Sequence, residues 1–91
     1  MQVILAYDIS TDDKGKTIAK IFKICKKYLF QVQNSVFEGE ITEGRLSKLK
    51  KELEKHLRED KDSIVIFTLN TGLNLKKEFL GIKKDFDSRF L

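Results

Sequence analysis

Proline is absent from these 91 residues, cysteine and histidine occur once each, and no apolar run is long enough to cross a bilayer. Each gap removes a class of function. A lone Cys25 cannot close an internal disulfide, which suits a reducing cytoplasm and excludes a stapled secreted scaffold. His56 has neither a cysteine nor a second histidine beside it, with Glu52 one turn away, so it reads as a surface side chain and not as a metal ligand or general base. The opening "MQVILAYDIS" has no basic leader and no small-residue cleavage site, and is expected to be a first strand rather than a signal peptide. A phosphate-binding glycine loop, a dinucleotide fingerprint, zinc spacing and a Ser/His/Asp set are all missing. The lack of proline, with many lysines and glutamates, fits an ion-paired surface.

What is present argues for a packed globule. The chain is 41% hydrophobic and holds seven phenylalanines, too apolar for a disordered segment. A chain of this size buries only about 60–65% of its unfolded surface, so its own core is marginal and self-association would help. Eighteen basic against fourteen acidic residues give a net charge of +4, which permits a polyanionic partner without requiring one.

Along the chain, "QVILAYDI" (2–9) alternates Ile4, Ala6 and Asp8 on one face with Val3, Leu5, Tyr7 and Ile9 on the other, as a strand does. After the polar "STDDKG", Ile18, Ile21, Phe22, Cys25, Tyr28 and Leu29 keep helical spacing and predict a helix from about Lys14 to Leu29. Cys25 lies inside that stripe and reads as a small buried hydrophobe, not a reactive thiol. "FQVQNSVFEGEI" (30–41) is β-like and long, with Asn34-Ser35 as its bend, hence one bent strand or two short antiparallel pieces. Thr42 caps a second helix over roughly 43–59, striped by Leu46, Leu49, Leu53 and Leu57 and carrying Glu54 and Arg58 at ion-pair spacing. A turn at 60–62 leads into "SIVIFTL" (63–69), and a turn at Thr71-Gly72 into a last strand at about 73–82. With no repeat or linker, residues 1–91 are expected to form one α+β domain, a ferredoxin-like βαββαβ sandwich with an extra C-terminal strand. Two helices cover only one face of such a sheet, so a two-fold homodimer is expected to cover the other, with the tail strand pairing onto the partner.

Chemistry has few candidates. Asp8 ends an apolar strand beside a polar loop, either capping the turn or serving as a divalent-cation ligand; two copies across a two-fold axis could share one ion. "DISTDD" opens like a calcium loop but fails it, since Asp13 stands where the glycine belongs and Ala19 where the bidentate glutamate belongs. Asp12 and Asp13 then read as favourable first-turn charges of the helix. Lys16, Lys20, Lys23 and Lys27 fall in one arc of the first helix, with Lys14 at its start; the arc is either a solvated face or a ridge that tracks phosphates. The element order also suits an RNA-recognition module, but no strand carries its basic-aromatic pattern.

"YDIS" at the end of the first strand and "VQNSVFEGE" at mid-chain, at this spacing, resemble the small CRISPR-associated nuclease family, the second of the two core spacer-adaptation proteins. The likeness covers roughly residues 1–82. It implies a ferredoxin-like two-fold dimer whose C-terminal strand packs on the partner, and an Mg²⁺ (or Mn²⁺) ion held by Asp8 and its symmetry mate. It also implies cleavage of single-stranded RNA or double-stranded DNA, or else a non-catalytic role bridging dimers of the CRISPR integrase. A toxin-like ribonuclease on the same fold would share the Asp8 chemistry. Tyr7, Ser10 and Phe37 match family positions around the site: Ser10 joins Asp8 as a catalytic candidate, and Phe37 joins Lys14, Lys16 and Lys20 as candidates for nucleic-acid binding. The sequence departs from the family where arginines are common, with Lys14 and Lys16 in the first helix and Leu29 and Gln31 in place of a glycine and an arginine. Lysine keeps the charge but lacks the fork that grips phosphate, and the missing arginine bears on cleavage more than on binding.

Overall fold

The computed structural model describes residues 1–72 and 74–82. Its elements follow the order β1 (Gln2–Asp8), α1 (Lys16–Tyr28), β2 (Phe30–Gln33), β3 (Val36–Glu40), α2 (Glu43–His56), β4 (Ser63–Leu69) and β5 (Leu75–Gly81). The strands form one antiparallel sheet in the order β2-β3-β1-β4-β5. This is the expected α+β arrangement.

Alternation decides which face of the sheet is filled. Val3, Leu5 and Tyr7 of β1, Phe37 of β3, and Ile64 and Ile66 of β4 point into one core with Ile21, Ile24 and Cys25 of α1 and Leu46, Leu49 and Leu53 of α2. Burying each large aliphatic side chain there contributes about 1.5–3 kcal/mol before the cost of ordering it. Among the described residues no helix lies over the opposite face. Register places Ile4, Phe67 and Glu38 side by side across that face, with Ala6 beside Val65, and its exposed apolar groups include Ile4, Leu69, Leu75 and Phe30.

Element ends differ from the sequence reading for local reasons. The first helix begins at Lys16, because Lys14 (φ 64) and Gly15 (φ 78) both take the left-handed conformation and cannot continue a right-handed turn. Thr42 does cap α2, its hydroxyl accepting the Arg45 N–H at 3.2 Å. That helix stops at His56, since Leu57 is extended (φ −74, ψ 135). The long β segment resolves into two antiparallel strands joined at Asn34-Ser35, with a register shift between Gln31 and Gln33. The last strand pairs with β4 of its own chain along its whole length, from Leu69 opposite Leu75 to Ser63 opposite Gly81, and so forms the sheet edge. Leu73, where the tail strand was expected to begin, lies outside the described residues.

Candidate functional site

Asp8 is exposed at the end of β1, on the face without helices, opposite Ser63 of β4. Three connections meet at this end of the sheet. The β2–β3 turn closes against β1, with the Tyr7 N–H donating to the Ser35 carbonyl at 3.0 Å and the Tyr7 hydroxyl to the Asn34 carbonyl at 3.3 Å. Burial, helped by the nearby Cys25, pushes the Tyr7 phenol up from its usual value. Its ring stacks on Phe37, centroids 5.9 Å apart, and Phe37 meets Phe22 edge-on at 5.8 Å.

The other two connections, residues 9–15 and 57–62, are bound together by charge. Asp62 is fully buried. Its Oδ1 accepts the Ser10 N–H at 3.0 Å and Arg58 Nη2 at 3.0 Å, while its Oδ2 accepts the Arg58 N–H and Nε, each at 2.9 Å. Arg58 Nη2 also donates to the Ser10 carbonyl at 2.7 Å, and Nη1 reaches Asp12 at 2.8 Å and Asp13 at 3.4 Å. Lys61 takes the second Asp12 oxygen at 2.7 Å. Burial works against the Asp62 charge, but the Arg58 guanidinium and two backbone N–H groups outweigh it and hold its pKa down. The hydrogen bond from Lys61 first, then that from Arg58, lowers Asp12 to about 2. Asp13 turns to α1, accepting the Thr17 N–H at 3.0 Å and its hydroxyl at 2.6 Å. It therefore caps the helix from outside the first turn.

The candidate residues fare unequally. Asp8 and Ser10 lie two residues apart, with Lys14 in the same connection and Lys16 opening α1; Lys20 follows one turn on, and all three lysines are exposed. The Ser10 backbone is taken by Asp62 and Arg58, whereas its hydroxyl makes a long contact, accepting the Asp12 N–H at 3.4 Å. Phe37 corrects the sequence reading. It is fully buried, so it has no surface to offer a nucleic acid, and the strand alternation that puts Glu38 outside puts Phe37 inside. Arg58 corrects it too: because the chain leaves the helix before residue 58, the guanidinium goes to Asp62, Asp12 and Asp13 instead of Glu54. Cys25 is buried as expected, and its thiol is pushed up to about 12 by that burial, which rules out a thiolate nucleophile near neutral pH. Leu29 is a core side chain lying over Gly39, where an added Cβ would come within 3.0 Å of it, and Gln31 is exposed on β2.

The donor set for a metal is small. Among the described residues no three His, Cys, Asp or Glu side chains cluster to hold an ion. An exposed carboxylate at Asp8 suits a hard cation of the Mg²⁺ kind, which takes one or two carboxylates and keeps its remaining positions for water and phosphate oxygens. It does not suit a closed structural site.

The family model for "CRISPR associated protein Cas2" matches residues 1–76. A CRISPR-associated endoribonuclease Cas2 of Fusobacterium nucleatum is 47% identical, over 100% of this chain and 87% of its own length. Another, from Thermodesulfovibrio yellowstonii, is 46% identical over 98% of this chain and 97% of its own length. The crystal structure of Streptococcus pyogenes Cas2 at pH 6.5 superimposes with a TM-score of 0.69 at 33% identity, covering 77% of this chain and 87% of that one.

Proposed function

As the chain belongs to the CRISPR-associated Cas2 family, we propose that it is an endonuclease of spacer adaptation, cutting single-stranded RNA or double-stranded DNA at Asp8. One observation carries this reading: the exposed Asp8 carboxylate stands where three connections meet, in a chain whose relatives are named endoribonuclease Cas2. Asp8, with its copy in a second protomer, would hold an Mg²⁺ or Mn²⁺ ion. When bound, such an ion supplies charge stabilisation at a phosphate and a more acidic water. The Ser10 hydroxyl accepts from within its loop and keeps its proton for a phosphate oxygen. Lys14, Lys16 and Lys20 hold flanking phosphates as point charges, so affinity falls with salt. Phe37 acts only from the core, by setting the position of Tyr7.

The working unit is a homodimer that joins the CRISPR integrase. Supporting the dimer are the sheet face without helices and its exposed Ile4, Leu69 and Leu75. No helix among the described residues is long and apolar enough to cross a membrane, and the free Cys25 fits a cytoplasmic setting.

Cleavage of both substrates is to be measured with Mg²⁺, with EDTA, and for Asp8→Ala. We expect cutting with Mg²⁺ only, and a loss of at least about a hundredfold in the variant, as when one electrostatic stabiliser is removed. Undiminished cutting by Asp8→Ala overturns the assignment. A second reading, that of a non-catalytic adaptor, is favoured by Gln31, which stands where the family commonly has an arginine that could steady transition-state charge. It predicts that Asp8→Ala still captures DNA fragments, binds the integrase and supports spacer insertion.

A further inference from the structure

We infer that Arg58 and Asp62 are positioning residues of the Asp8 site, fixing the Asp8–Ser10 segment through the Ser10 backbone. The inference rests on the nuclease reading above. Ser10 is two residues beyond Asp8, and one ion pair holds both of its main-chain polar groups: Asp62 accepts its N–H at 3.0 Å and Arg58 donates to its carbonyl at 2.7 Å. On the other side, Asp8 itself is paired in register with Ser63, the residue that follows Asp62. The Asp62-Ser63 step therefore grips the segment at both ends. From behind, the Ile82 N–H donates to the Asp62 carbonyl at 2.9 Å, tying the clamp to the end of β5.

Stability alone gives no reason for this pair. A buried ion pair is commonly matched or bettered by apolar side chains of similar volume. An apolar pair could not, however, bond both the N–H and the C=O of Ser10, and so could not fix the orientation of that peptide. The clamp also manages charge. Arg58 and Lys61 engage Asp12, and Arg58 reaches Asp13, so these carboxylates are compensated close to where a phosphate must approach Asp8. Arginine matters here for its fork, since a lysine ammonium cannot serve Asp62, Asp12 and the Ser10 carbonyl at once.

The test compares wild type, Asp8→Ala, Arg58→Lys, Asp62→Asn and the distant ion-pair variant Glu78→Gln, whose partner is Lys50. Two readouts are taken: single-turnover and steady-state cleavage, and hydrogen exchange at the Ser10 amide. Small displacements of a catalytic group are costly, so Arg58→Lys and Asp62→Asn are expected to lower kcat about tenfold or more with KM for nucleic acid little changed. Their Ser10 amides should exchange at least about tenfold faster while the Leu49 and Leu53 amides stay as protected as in wild type, which marks local opening and not global unfolding. Glu78→Gln should match wild type in both. Normal kcat or unchanged Ser10 exchange in Arg58→Lys and Asp62→Asn, beside an inactive Asp8→Ala, overturns the positioning role alone. Exchange that rises equally at Leu49 and Leu53 also overturns it, since the pair would then be merely structural. If Asp8→Ala cuts like wild type, the nuclease reading falls and the role falls with it.

Discussion

Around Asp8 the charged residues differ more by their partners than by their type. Hydrogen bonds from Lys61 and then Arg58 hold the Asp12 carboxyl down to about 2, against an ordinary 3.8, and Asp13 is held low first by the Thr17 hydroxyl. A carboxyl whose folded pKa is depressed adds stability that is complete above its unfolded value and is lost as pH falls toward the folded one. The loop linkage is therefore expected to weaken between about pH 4 and pH 2, while neutral and mildly alkaline solutions leave it intact. Carboxyl NMR titration checks this: Asp12 should titrate well below 3.8 in wild type and move back toward it in Lys61→Gln. An ordinary value in the wild-type protein would remove the linkage. Asp8 can be found from sequence because a carboxylate interrupts an apolar alternation. Arg58 cannot, because Glu54 offers a partner at the same four-residue spacing as Asp62, and only the extended backbone at Leu57 shows that helical spacing no longer applies. Phe37 misleads for a different reason: a motif marks which residues recur near a site without saying which face of the strand each one takes.

Elements that bury a stripe or an alternating face can be read from sequence, since one-dimensional periodicity reports one-sided burial. Both helices and the 63–69 strand fall into that group. Their ends do not, because caps and left-handed residues act over one or two positions. The end of β5 is such a case. Gly81 sits at φ +75, and a Cβ there would lie 2.2 Å from the Asp62 carbonyl oxygen and 2.9 Å from Leu57 Cδ2. Neither neighbour can yield cheaply: one is backbone, and the other packs against the core. Gly81→Ala is thus expected to cost more than the roughly 1–3 kcal/mol of a strained backbone position alone, lowering Tm by about 10 °C or more in a chain this small. Gly72→Ala is the comparison, because its nearest neighbour would be a movable Asn70 side chain at 3.4 Å. Thermal unfolding followed by circular dichroism decides it. Equal Tm values for the two variants would mean that the Asp62 turn is not braced by the strand end.

On the scale of the whole molecule, the described residues place a single layer of two helices on a five-stranded sheet and leave one face without a helix. Ile4 on the central strand is 41% exposed, and Leu75 on the edge strand is 67% exposed. Both lie on the face that carries Asp8. A stable pairing generally removes about 800 Å² from each partner, and apolar side chains at its centre carry most of the energy. Ile4→Glu separates folding from pairing. In the lone chain the new carboxylate can reach water, so the fold should survive; at a two-fold contact it would be desolvated without a partner. Light scattering is expected to give the mass of two chains for wild type and for Lys48→Glu on the helix layer, but of one chain for Ile4→Glu at matched concentration. If the two copies of Asp8 act together, Ile4→Glu must also lose cleavage while keeping the wild-type circular dichroism spectrum. A folded, monomeric Ile4→Glu protein that cuts at the wild-type rate would make each Asp8 sufficient by itself and end the case for a shared site.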